Sequence, residues 1–137
     1  MKEFIIMSGM IMLLMFFPVQ YVLNSTNHYN MQTVNEIVHK AAQKARTDGY
    51  FTTDNINTMK ADIAAKLHVD QSEISVTATT TPKYRMNAFD QREMIYYEVK
   101  VPIKRILALS RFFGVTDEAN KTDYILKDAV ASEVPAP

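Results

Sequence analysis

The sequence predicts an α+β protein, in which a long N-terminal helix packs on a small antiparallel β-sheet head. Three observations predict this class. Residues 4–23 are apolar and contain no charged side chain. Residues 24–48 continue without glycine or proline and carry apolar residues at helical spacing. Two later segments, 74–79 and 95–103, alternate between apolar and polar residues, as half-buried strands do.

Composition limits the classes of partner and chemistry. The chain has 137 residues and a formal net charge of +0, so it has no basic field for nucleic acid and none is required as a partner. It has no cysteine, which excludes disulfides, thiolate catalysis and cysteine-containing zinc sites. Charge and cysteine content therefore favour neither a polyanionic partner nor redox chemistry.

The apolar segment 4–23 is close to the length that a helix needs to cross a hydrocarbon core of about 30 Å. A cleaved signal peptide is disfavoured, because only Lys2 is basic and no Ala-x-Ala site follows the segment. A single-span anchor, a helix buried first in lipid and later among copies of itself, and a buried core helix remain as alternatives. We expect the mature protein to retain Phe4 to Leu23.

The second half of the helix, residues 24–48, has a heptad pattern that predicts packing against the head. The apolar seam consists of Met31, Val34, Val38, Ala41 and Ala45. One helix from near Met1 to Asp48, with a possible kink at Pro18, is the economical interpretation, and Gly49 is placed to end it in a left-handed conformation. Two separate helices are the alternative.

The head is predicted to comprise residues 49–137. Thr52 is the expected N-cap of a second helix, whose apolar face is Ile56, Met59, Ile63 and Leu67. Strands are expected at 74–79, at 95–103 and from Tyr124 to about Ser132, with a loop at 82–90 and a short helix or turn at 104–113. Pro102 predicts that the second strand ends at a sheet edge or outside the ladder.

Three stretches carry a family resemblance that spans nearly the whole chain. They are Tyr21-Val22-Leu23 leading into residues 35–49, residues 97–103 followed by Ile106-Leu107-Ala108-Leu109, and the closing strand at 124–133. In this order the elements resemble the type IV pilin superfamily, and in particular the TadE-like proteins of tight-adherence systems. The resemblance implies a subunit that is inserted in the bilayer with its head outside. An inner-membrane assembly platform and ATPase would then extrude it into a filament of identical copies.

The resemblance also assigns roles to the N-terminal residues. Family members carry a basic leader and a glutamate about five residues into the mature protein, whereas this chain begins Met1-Lys2-Glu3. By analogy Glu3 would meet a neighbour's N-terminal amine in apolar surroundings. The residues expected to face lipid or the filament core are Glu3, Phe4, Ser8, Gly9, Leu13, Phe16, Phe17, Pro18 and Tyr21.

No catalytic, metal or cofactor site is predicted. His28 and His39 are eleven residues apart, and three turns of helix would separate them by roughly 16 Å, too far to share a metal ion. The tyrosines are expected to serve packing. The leading hypothesis is a structural, non-enzymatic filament subunit. The alternatives are a membrane-resident minor pilin or assembly component of a Tad-type machine and, from another class, an anchored ligand-binding module.

Overall fold

The computed structural model describes residues 1–85 and 93–137. Its helices and strands are α1 (Lys2–Asp48), α2 (Thr53–Leu67), β1 (Ser75–Ala78), β2 (Met94–Ile103) and β3 (Thr122–Ala131). Short 3-10 turns occupy Gln71–Glu73 and Ser110–Phe113. A long apolar N-terminal helix and a three-stranded antiparallel sheet confirm the predicted α+β class. Most of the predicted loop at 82–90, residues 86–90, lies outside the described residues.

The chain forms two compact units. The predicted boundary lay after residue 48, whereas the units divide α1 after residue 30, so that α1 contributes to both. The helix–loop unit comprises residues 1–30 and 103–122. The sheet unit comprises residues 31–102 and 123–137. The interpretation of residues 2–48 as one helix rather than two is confirmed, and the helix continues through Pro18.

The sheet has the order β1-β2-β3, so β2 is its central strand. β1 and β2 are antiparallel, with Ser75 opposite Lys100 and Ala78 opposite Tyr97. Every second residue of β2 is buried, namely Ile95, Tyr97, Val99, Val101 and Ile103, which confirms the predicted alternation. Pro102 lies beyond Lys100, the partner of the first β1 residue, so its missing N–H interrupts no bond of the β1–β2 ladder.

The core of the sheet unit lies between the second half of α1, α2 and β2. α1 contributes Val34, Val38, Ala41, Ala42 and Ala45, and α2 contributes Met59 and Ile63. The Phe51 and Tyr97 rings pack with their centroids 5.5 Å apart. Asn55 is a buried polar side chain, and its Nδ2 donates a hydrogen bond of 2.8 Å to the Ala41 carbonyl. That bond satisfies a group which would otherwise be costly to bury.

Both ends of α2 have specific caps. The Thr52 hydroxyl accepts a hydrogen bond of 3.1 Å from the Asn55 N–H, which confirms Thr52 as the N-cap. His68 ends the helix in the left-handed conformation, with φ 54°. Its role is therefore that of a helix cap.

The end of α1 is closed by its own glycine and by the C-terminal segment. Gly49 has φ 85°, as predicted, and its N–H donates a bond of 2.7 Å to the Ala45 carbonyl. The Glu133 N–H donates a bond of 2.9 Å to the Arg46 carbonyl. The Arg46 and Glu133 side chains also form an ion pair at 2.7 Å. Glu133, near the C-terminus, thus satisfies one carbonyl that the helix itself leaves unbonded.

Gly49→Ala is expected to destabilise the sheet unit by more than the roughly 1–2 kcal/mol of a strained left-handed backbone. A Cβ at Gly49 would lie only 2.9 Å from the Lys83 carbonyl oxygen, so a steric clash adds to the strain. Gly114→Ala is the matched control, because Gly114 has φ 72° but no atom within 4 Å of such a Cβ. Denaturant unfolding of the full chain in detergent measures both losses. Equal losses would show that the close approach to Lys83 is relieved at no cost.

Candidate membrane and assembly surface

The first half of α1 presents apolar side chains to its surroundings. By length and composition this helix is able to cross a membrane, and none of its most apolar stretch is buried within the protein. Leu13 is 62% exposed and Phe4 is 73% exposed. Contiguous exposed apolar surface of this kind is typical of sites that contact lipid or another apolar surface.

Nearly all the residues predicted to face lipid or the filament core are exposed. They are Glu3, Phe4, Ser8, Gly9, Leu13, Phe17, Pro18 and Tyr21. Phe16 differs, because it is partly covered by other residues of the helix–loop unit. A Cβ added at Gly9 would meet no atom within 4 Å, so this position offers open space for a neighbouring helix or lipid chain.

Two polar residues of α1 hold the loop formed by residues 104–121. The Gln20 side chain donates from Nε2 to the Ile106 carbonyl at 2.9 Å and accepts at Oε1 from the Ala108 N–H at 2.8 Å. Asn27 Nδ2 donates a bond of 2.7 Å to the Arg105 carbonyl. These three bonds fix the loop alongside the helix by side chain to backbone contacts.

Asn120 organises the same loop from within. Its Oδ1 accepts bonds from the N–H groups of Ile106 at 3.1 Å and of Leu107 at 2.7 Å. Its Nδ2 donates to the Leu107 carbonyl at 3.0 Å. Asn120 is only 4% exposed, so its amide takes the place of water as the hydrogen-bond partner of these backbone groups.

Aromatic rings continue the contact between loop and helix. The Phe16 and Phe113 rings meet edge to face, with centroids 5.4 Å apart and an interplanar angle of 76°. Phe112 packs edge to face on Phe113 at 5.4 Å. Phe16, Gln20 and Asn27, at spacings of four and seven, therefore form one loop-binding face of α1.

Sequence reasoning missed this face. The sequence patterns described above assign no role to Gln20, Asn27 or Asn120. The available signal was the helical spacing of Gln20 and Asn27, since polar amides on the same face of a lipophilic helix need hydrogen-bond partners.

The predicted seam lies in the sheet unit. Val34, Val38, Ala41 and Ala45 are buried, and Met31 is partly buried. Ala42, which the heptad pattern omitted, is also fully buried. Burial of both Ala41 and Ala42 indicates an apolar stripe that is wider than a two-position coiled-coil seam.

Two ionisable groups of β2, Glu98 and Tyr97, have perturbed pKa values and make structural contacts. Hydrogen bonds from Lys127 and Lys100, at 3.2 and 3.3 Å, lower the pKa of Glu98. Burial, and then the nearby Asp128 carboxylate, raise the pKa of Tyr97. These groups lie on a sheet strand and belong to packing and surface ion pairs.

The described residues, 1–85 and 93–137, contain no group of three or more histidine, aspartate or glutamate side chains arranged to hold a metal ion. An open groove of about 740 Å³ lies in the helix–loop unit. Its lining includes Val19, Leu23, Arg105, Leu107, Leu109 and Phe112. The lining also includes the charged side chains of Lys104, Arg111 and Asp117, so the groove has both apolar and charged walls.

Fold and surface together define an α+β protein with one long, apolar N-terminal helix that is compatible with a membrane span. Comparison of the chain with known protein families, curated proteins and solved structures finds no match.

Proposed function

We propose that this protein is a structural, non-enzymatic subunit of an extracellular pilus-like filament, akin to the TadE-like members of the type IV pilin superfamily. Before assembly it is a single-pass membrane protein. After assembly its apolar helices form the filament core, and the sheet units face outward at the cell surface.

The observation that carries this proposal is the contrast between the two halves of α1. Val38 and Ala45 are fully buried within the sheet unit, whereas Phe4 and Leu13 remain largely exposed. The first half therefore requires a partner outside its own chain, and the second half does not.

The free energy of apolar burial favours other copies of the same helix segment as its partner. Transfer of apolar surface out of water is favourable by roughly 25 cal/mol per Å². A helix in lipid has already transferred its apolar surface out of water. Its exit from the bilayer is therefore favourable only if the helix enters equally apolar surroundings. A bundle of the same helices provides such surroundings, and Ser8, Gly9 and the flexible methionines of the segment allow close, adaptable packing.

Assembly of this kind requires further components. By the family resemblance they are an inner-membrane platform and an ATPase that extrude the subunit from the bilayer. The protein itself requires no cofactor, no metal and no nucleic acid for this role.

One observation favours a second candidate, a membrane-resident minor pilin or assembly component. Residues 104–121 cover the face of α1 that includes Phe16 and Gln20. A covered face is removed from packing against copies of the same helix. A protein with this arrangement is suited to remain in the bilayer beside other subunits.

Electron microscopy of material sheared from the native cell surface tests the proposal. We expect thin fibres that dissociate to this chain as the dominant protein, with residues 4–23 retained in its intact mass. Fibres in which this chain is a trace component would support the minor pilin. Retention of the chain in the membrane fraction, with no fibres at all, would contradict the filament proposal.

A further inference from the structure

We propose that the loop of residues 104–121 is a second membrane-contacting element, which inserts Leu109, Phe112 and Phe113 into the leaflet entered by the end of the apolar helix segment. This inference rests on the membrane stage of the proposed function. It names a contact surface additional to the helix and commits to lipid as its partner.

The depth of the loop follows from its contact with Phe16. The Phe113 ring lies against Phe16, which is seven residues before Leu23, the end of the apolar segment. At 1.5 Å per residue, Phe16 lies roughly 10 Å inside that end. This is the depth at which interfacial segments bury their apolar side chains, about 5–10 Å below the headgroups.

Much of the loop backbone is hydrogen-bonded within the protein, which favours contact with lipid. Gln20 and Asn120 side chains bind the N–H groups of Ile106, Leu107 and Ala108 and the carbonyls of Ile106 and Leu107. In the 3-10 turn, the Phe112 N–H donates to the Leu109 carbonyl. The Gly114 N–H donates to the Arg111 and Ser110 carbonyls. These bonds reduce the number of backbone groups that need water along this stretch.

The side chains that these bonds leave outside are apolar. Phe112 is 68% exposed, and Leu109 and Phe113 are each 53% exposed. Leu109 adopts φ 56°, a left-handed backbone that costs a leucine roughly 1–2 kcal/mol. In water this conformation leaves about half of the side chain exposed, whereas lipid would cover that half.

Charge favours lipid over a second copy of the loop. Residues 104–121 contain four basic and two acidic side chains. Arg111 pairs with Asp117 at 2.6 Å. A net positive loop repels its own copy but is attracted to an anionic leaflet, and arginine and lysine beside aromatic rings are typical of membrane interfaces.

A single tryptophan provides the test, because the natural chain contains none. Full-length Phe112→Trp is reconstituted in vesicles of phosphatidylcholine and phosphatidylglycerol, with and without phosphatidylcholine brominated either near the top or near the end of the acyl chains. We expect emission at shorter wavelength than in water and loss of about half its intensity to the bromines, as for an interfacial side chain. Leu13→Trp, near the centre of the apolar segment, reports on the helix through the bromines near the chain ends. Tyr96→Trp, at an exposed position of the sheet unit, is the unquenched control.

The outcomes separate this inference from the proposed function. Quenching at position 13 without quenching at 112 overturns the loop insertion and leaves the membrane helix intact. Emission at short wavelength without quenching at 112 means that protein covers the loop, which also overturns it. Absence of quenching at position 13 would overturn both the proposed membrane helix and the proposed loop insertion.

A second variant tests whether the helix positions the loop. Gln20→Ala in the Phe112→Trp chain removes two hydrogen bonds to the loop but changes no loop residue. We expect quenching at 112 to fall at least severalfold, while Leu13→Trp in the same background stays quenched. Unchanged quenching at 112 would overturn the role of Gln20 in positioning the loop.

Discussion

Leu13→Arg is expected to abolish filaments while leaving the sheet unit folded. Leu13 is 62% exposed, so the substitution disturbs little of the protein's own packing. An arginine near the centre of a span costs about 2.5–3.5 kcal/mol on insertion scales. This cost lowers the inserted population about a hundredfold, since 1.4 kcal/mol corresponds to a factor of ten. The same charge has no partner in a bundle of identical helices.

Yield of sheared fibres by immunoblot measures this effect. Gln32→Arg is the matched control, because it adds the same charge at an exposed α1 position outside the apolar segment. Lys127→Ala, which removes only a surface ion pair with Glu98, should also leave the yield near normal. Normal fibres from Leu13→Arg would mean that the segment is not a filament core, and the anchored-module hypothesis would replace it.

Val38→Asp is expected to unfold the sheet unit. Val38 is fully buried among the core residues of α1, α2 and β2. A carboxylate placed there without a partner costs several kcal/mol, which is comparable with the whole stability of a small unit. The first half of α1 should be unaffected, because its apolar side chains do not contribute to this core.

His39→Asp is the matched control, since it adds the same side chain at the adjacent, exposed position. Hydrogen exchange of the β2 amides in the full chain reports the outcome. We expect fast exchange throughout β2 for Val38→Asp and protection for His39→Asp. Retained protection in Val38→Asp would show that the α1 seam is dispensable for the sheet unit.

Several elements were predictable from the sequence because their signals are local. The uncharged run at 4–23, the Thr52 cap and the positive φ of Gly49 each depend on neighbouring residues within one or two turns. The alternation of β2 is equally local, since side chains of a strand point to opposite faces at every step. The α+β class follows from adding such segments in order.

The strand order of the sheet and the hydrogen bonds that close the end of α1 were harder to predict from the sequence. The strand with Pro102 is the central one, and only the register shows that the proline lies past the last β1 pair. Closure of α1 by Glu133 joins residues far apart in the chain. Strand alternation is the same for a central and an edge strand, so no local pattern distinguishes these arrangements.

The sequence by itself determined which segments are lipophilic, amphipathic or alternating, and so the fold class and the segment that is long and apolar enough to span a membrane. Only the tertiary structure decided where residues 104–121 lie, and that Gln20, Asn27 and Asn120 hold them. The physical reason is the range of the interactions. Periodic burial recurs every two or three to four residues and is legible along the chain. The bonds from Gln20 and Asn27 instead reach backbone groups 78 to 88 residues away, and no periodicity in the chain records such a pairing.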